Sequence, residues 1–212
     1  IIDRLSFPID SEVLGWGLSD REVFSFSLNF LSEMENSFFA VIQTITNHHP
    51  YMAPKSYRKN YGFDKNTNNF FSTFHYSDEM LGKFLEEYLK TENGKNSLII
   101  ITADHGNGKK LVNNIRNKKI SILNQYQIPL LILYPKKFKN IRKKINIIGS
   151  QVDVMPTIMD IMNMEYNFPI FGKSLLRDFK YRYVKGNIEG GWLLYDERFI
   201  SMPHKKSPKD IY

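Results

Sequence analysis

Residues 98–108 read LIIITADHGNG, an apolar run that stops at an aspartate and a histidine side by side and is followed by glycines. A short isoleucine-rich run of this kind predicts a strand over 97–103 that is covered on both faces. Such a strand belongs to a sheet with helices packed on it, and in open sheets of that type ligands gather beyond the carboxyl ends of the strands. Asp104 and His105 stand at that end. Gly106 and Gly108 permit tight turns and a close approach of backbone to a ligand.

The same logic applies upstream. Residues 37–46, SFFAVIQTIT, are β-branched and aromatic without alternation, predicting a second doubly covered strand that runs into Asn47, His48, His49 and Pro50. IPLLILY at 128–134 predicts a third. Between them, Ser19 followed by Glu22 reads as a capping box opening a helix over 20–35. FFSTFHYSDEMLGKFLEEYLK places Phe70, Phe71, Phe74, Leu81, Phe84, Leu85 and Tyr88 on one helical stripe after a polar loop at 55–68, with Gly94 helping to stop it. Pro156, in QVDVMPTIMDIM, suits the first turn of a further helix. From about residue 180, short segments (YRYV, GWLLY, ERFIS) predict an antiparallel edge. Strands alternating with helices define an α/β sandwich with a largely parallel central sheet and a small C-terminal antiparallel element. No repeat or linker interrupts it, so one domain over 1–212 is expected.

If the strands ending at His48 and at Asp104 are near neighbours, one crevice holds a carboxylate and up to three imidazoles. That donor set suits Mn²⁺, Mg²⁺ or Zn²⁺. The chain has no cysteine, which excludes disulfides, thiolate metal sites and a cysteine nucleophile. Each element also has a plainer use. An Asp-His pair after a strand often caps or turns the chain, His48 and His49 can be a simple loop pair, and Trp16 in GWGLSD can anchor a helix entrance.

The formal charge of +7 is concentrated in KKLVNNIRNKK at 109–119 and KKFKNIRKK at 136–144. These runs fit a solvated basic surface or an anionic lipid headgroup layer. Aromatics do not interleave them as a nucleic-acid stacking platform requires, so nucleic acid is not an expected partner. No run of about 18 apolar residues and no signal peptide is present.

The segments WGLSD, FFAVIQTITNHHPY, FHYSDEMLGKFLEEYL, LIIITADHGNG, NQYQIPLLILYPK, SQVDVMPTIMDIM and FGKSLL, in this order from about residue 14 to 176, resemble the sulfatase-like domain of the lipoteichoic acid synthase and phosphoglycerol transferase family, within the alkaline phosphatase superfamily. The resemblance implies an alkaline-phosphatase-like α/β/α sandwich. It implies that Asp104 and His105 bind one divalent ion, manganese first, with Mg²⁺, Zn²⁺ and Ca²⁺ as alternatives. It also implies that His48, in the TNHxP motif, contacts the substrate phosphate and that Trp16 lines a glycerol phosphate pocket; His49 takes a position that is often aromatic.

The implied reaction moves glycerol phosphate from phosphatidylglycerol, an anionic phospholipid, to a glycolipid, polymer or glucan acceptor of the envelope. The parent enzyme would then be membrane-associated, on the outer face of the cytoplasmic membrane. In this family the threonine nucleophile and a further acidic metal ligand lie upstream of the WG segment, and IIDRLSFPIDSEVLG contains no matching motif. The expectation is therefore a partial, N-terminally truncated sulfatase-like domain without its catalytic nucleophile, inactive and poorly soluble in isolation. Thr44 and Thr46 lie inside the predicted strand and carry little weight as replacements. A sulfatase, a phosphoethanolamine transferase of the same superfamily, and a non-catalytic remnant that binds anionic lipid or cell wall are the alternatives.

Overall fold

The computed structural model describes residues 1–106, 126–135, 144–165, 167–186, 192–195 and 198–201. The basic run at 109–119, most of the run at 136–144, and Gly108 lie outside the described residues. The chain divides into two compact units, Ile1–Thr102 with Pro129–Ile141, and Ala103–Ile128 with Arg142–Tyr212.

In the first unit, β1 (Val13–Leu14) and β2 (Gly17–Leu18) form an antiparallel hairpin with Leu14 opposite Gly17. Gly15, at the first turn position, has φ +67, which a residue without a Cβ adopts freely and which places Trp16 at the hairpin tip. Helix α1 (Asp20–Ser32) follows, with Ser19 as its N-cap accepting from the Glu22 N–H. Only half of the expected capping box forms, because the Ser19 N–H donates to the Glu12 carbonyl instead of to Glu22. The helix ends three residues before the expected boundary. Its last carbonyls, those of Leu31 and Ser32, and the Met34 carbonyl beyond them accept from the Asn93 side-chain amide, which satisfies groups a helix end leaves open.

Helix α2 (Lys65–Tyr88) begins inside the stretch read as a loop, because Asp64 caps it with bonds from the N–H groups of Asn66 and Thr67. Its buried stripe runs through Phe70, Thr73, Tyr76, Met80, Phe84 and Tyr88. Phe74, placed on the apolar stripe by sequence, is 56% exposed, since it falls on the opposite face from Tyr76. Leu14, Phe24 and Leu31 close on that stripe, with the Phe24 and Phe84 rings stacked at 5.1 Å. Gly94 does not stop α2. It sits in the short helix α3 (Glu92–Asn96), where an added Cβ would lie 1.8 Å from the Tyr88 carbonyl oxygen, so its role is close packing.

Strand β3 (Ile99–Thr102) pairs antiparallel with β4 (Leu130–Leu133), Ile99 opposite Leu133. The α/β class holds, but every ladder among the described residues is antiparallel, whereas a largely parallel sheet was expected. An unbroken apolar run records burial on both faces; it carries no information about strand direction. The strand expected at 37–46 does not form. The segment carries no regular secondary structure and has no ladder partner among the described residues. Phe38 and Ile42 pack on the core while Phe39 and Val41 are 87% and 77% exposed, so only one face is covered.

In the second unit, a 3₁₀ turn (Gln151–Asp153) leads into α4 (Val154–Ile161), with Pro156 buried in the first turn. The nearly buried Asp153 carboxylate accepts from the N–H groups of Ser150 and Lys173, and the Thr157 hydroxyl accepts from the Leu175 N–H, so FGKSLL is sewn to the helix. The expected C-terminal element is present as a three-stranded antiparallel sheet of β5 (Tyr183–Gly186), β6 (Trp192–Tyr195) and β7 (Arg198–Ser201), in that order.

Candidate functional site

The first unit brings Trp16 and His48 together. Their ring centroids are 4.4 Å apart at an interplanar angle of 37°, and the indole is 69% exposed. The loop that carries His48 is built from local turns: the His48 N–H donates to the Ile45 carbonyl and the Tyr51 N–H to the His48 carbonyl. The His49–Pro50 peptide is cis, and the Tyr51 ring meets the buried Phe70 edge-on at 5.5 Å, which fastens the loop to α2. His49 faces Tyr51 rather than Trp16. The loop lies against the hairpin so closely that a Cβ on Gly17 would sit 2.8 Å from the Ile45 Cγ2.

His48 Nδ1 lies 2.8 Å from the His49 carbonyl oxygen. A carbonyl only accepts, so Nδ1 carries the proton and Nε2 presents its lone pair outward in the neutral ring. An exposed indole beside an outward imidazole nitrogen offers an apolar face and a hydrogen-bonding edge to one small polar ligand.

Sequence reasoning missed the pairing of two buried residues that flank this pair in the chain. Asp20, 1% exposed, accepts at Oδ1 from the Thr46 hydroxyl at 2.6 Å and from the Thr46 N–H at 3.1 Å, while the Asp20 N–H donates to Thr46 Oγ1. The Arg21 N–H donates to the Tyr76 hydroxyl. Every open N–H in the first turn of α1 is thus met, partly by a residue from the His48 loop. Thr46, weighed as a nucleophile, is 2% exposed and committed to this network, which removes it from that role. No local sequence signal links positions 20 and 46.

In the second unit, Asp104 and His105 follow β3 in the chain. Asp104 Oδ1 accepts from the His105 N–H, and the carbonyls of Ala103 and Asp104 both accept from the Gln151 amide. His105 Nδ1 donates to the Gly106 carbonyl, so here too Nε2 is the outward nitrogen. It lies 3.6 Å from Asp104 Oδ2, and both side chains are exposed. Two donors at that separation can share an ion held at ~2.1 Å from each, and a backbone bond on the far nitrogen is how ligating histidines are oriented. The pair therefore fits part of a divalent-ion shell. Among the described residues no group of three or more His, Cys, Asp or Glu completes it.

A cavity of about 360 Å³ also opens in the first unit, lined by Phe24, Leu28, Tyr57, Met80, Lys83 and Phe84 among others. Of its charged lining, Lys83 bonds Glu79 outside the cavity; the Glu79 carboxyl is held below the usual range by Lys83 first and by the Tyr57 hydroxyl second. Burial, with the Glu79 bond, pushes the Tyr57 hydroxyl up.

This fold has counterparts among known proteins. The sulfatase family profile matches residues 3–164, and the chain belongs to that family. It is 29% identical over 166 residues to lipoteichoic acid synthase 1 of Bacillus subtilis (strain 168), covering 74% of this chain and 26% of that protein. It is 28% identical over 207 residues to the lipoteichoic acid synthase of Staphylococcus aureus (strain USA300), covering 84% and 31%.

Among solved structures, the lipoteichoic acid synthase LtaP of Listeria monocytogenes superposes with a TM-score of 0.77 at 24% identity, over 91% of this chain and 51% of that one. A protein in the alkaline phosphatase superfamily from Vibrio parahaemolyticus superposes with a TM-score of 0.70 at 21% identity, over 93% and 50%. The chain shares the fold of these two structures and is similar in sequence to lipoteichoic acid synthases. It spans under a third of the length of these curated relatives and about half of the chains in the two solved structures.

Proposed function

We propose that the chain is the substrate-recognition part of a sulfatase-like phosphoglycerol transferase, with Trp16 and His48 holding glycerol phosphate. The Trp16–His48 pair carries this reading: an indole face suits the glycerol carbons, and an outward Nε2 suits a phosphate oxygen once it carries a proton to donate. Protonated, His48 donates a charge-assisted hydrogen bond to the phosphate and steadies charge that builds there during transfer. Asp104 and His105 supply a carboxylate oxygen and an imidazole nitrogen to a divalent ion, manganese first. When bound, that ion contributes Lewis acidity toward a phosphoryl oxygen.

In this reading the donor is an anionic phospholipid, the acceptor an envelope glycan or lipid, and the place of action the outer face of the membrane. Among the described residues no helix is long and apolar enough to cross one. In this reading the nucleophile is supplied from outside the described residues.

The test is binding of sn-glycerol 1-phosphate, read from Trp16 fluorescence in a Trp192→Phe background. Saturable binding that is lost in His48→Ala and resists competition by sulfate is expected. Binding that is indifferent to His48, or displaced equally well by sulfate, would sink the proposal and favour a sulfatase.

A further inference from the structure

We infer that Asp20 and Thr46 are positioning residues whose buried side-chain lock sets the Trp16–His48 platform, an inference that takes its functional meaning from the reading above. Trp16 and His48 are both exposed, so little packing fixes either ring. Around them, the hairpin and the start of α1 meet the loop at three further points. Gly15 faces the Pro50 ring, Gly17, next to Trp16, abuts Ile45, and Asp20, two residues after the hairpin, is bonded to Thr46, two residues before His48. These meetings leave the intervening backbone little freedom to slide, and ring placement follows from backbone placement.

The chemistry of the lock argues for more than fastening. Removing a carboxylate from water costs several kcal/mol unless it is met by donors. Asp20 is met by two donors from one residue and by the positive end of α1. The Thr46 hydroxyl, donating to the carboxylate and accepting from the Asp20 N–H, closes a ring of bonds with one geometry. An apolar contact of similar area would hold the segments together without fixing their register. Register is what a platform of two exposed rings requires.

The experiment is NMR of the full 212-residue chain labelled at histidine. The His48 ring protons are expected upfield, displaced by the Trp16 ring current, with Trp16→Ala as the reference for no displacement. Thr46→Val, which keeps shape and removes the hydroxyl, is expected to abolish most of that displacement while the chain still melts cooperatively, and Thr46→Ser to restore it. Glycerol 1-phosphate affinity should fall by roughly tenfold, about 1.4 kcal/mol, in Thr46→Val.

A folded Thr46→Val variant with a lower melting temperature and the wild-type His48 shift would show that the lock merely stabilises, and would overturn the inference. Should Thr46→Val not fold, Asp20→Asn carries the same decision: a reduced shift supports it and an unchanged shift overturns it. Failure of the wild-type chain to bind glycerol phosphate would count against the proposed function alone, because the ring shift needs no ligand.

Discussion

The indole of Trp16 rests 4.4 Å from the imidazole of His48, joining a hairpin tip to a loop far along the chain. Beside that contact Gly17 leaves room for the Ile45 side chain, whose Cγ2 would lie 2.8 Å from an added Cβ. Gly17→Ala should therefore force Ile45 and the loop outward and cost about 1–3 kcal/mol, as overpacking does. Gly82, inside α2 with nothing within 4 Å of an added Cβ, provides the contrast. Gly82→Ala should stabilise by about 0.5–1 kcal/mol through the entropy a glycine loses in a helix. Denaturant midpoints of the two variants moving in the same direction would contradict this account.

Phe84 stacks on Phe24 and on Tyr88 at the centre of the first unit. Phe84→Ala should cost about 3–5 kcal/mol, whereas Phe74→Ala on the exposed face of the same helix should fall within about 0.5 kcal/mol of wild type. Equal losses in urea unfolding would mean that the buried stripe has been assigned to the wrong face.

Acid sensitivity has a local source in Glu79, whose carboxyl is lowered by Lys83 and then by the Tyr57 hydroxyl. Its pKa in the folded chain lies below the unfolded value of about 4.3. The stabilisation is thus fully present above that pH and is lost as pH falls through the lower folded value. Glu79→Gln should flatten this part of the acid limb, and added salt should mimic part of the effect because the pair is exposed to solvent. Melting temperatures measured between about pH 5 and pH 3 decide it. An identical acid limb in the variant rules Glu79 out.

Asp104 and His105 offer two donors of the wrong number for a closed shell. Calorimetry with Mn²⁺ should show weak binding that disappears in both Asp104→Asn and His105→Ala. Binding that survives either substitution would locate the ion elsewhere, and a tight stoichiometric site would mean that a further residue completes the coordination.

The sequence by itself determined the α/β class, both long helices and the antiparallel C-terminal element, and it named the residues from which the candidate site is proposed. These are local properties: caps such as Ser19, a 3.6-residue stripe through Phe84 and Tyr88, and polar residues placed where an apolar run stops. The family to which the chain belongs was legible for the same reason, since the order of such local motifs is itself carried by sequence. Tertiary structure decided the rest. The segment 37–46 reads as a strand but forms no ladder among the described residues, because a strand is defined by a partner that its own residues cannot specify. The antiparallel pairing of β3 with β4 was equally hidden, because hydrophobicity reports burial and not direction. The pairing of Asp20 with Thr46 had no local signal: a buried carboxylate bonded to a hydroxyl 26 positions away becomes meaningful only once the start of α1 and the His48 loop are folded onto each other.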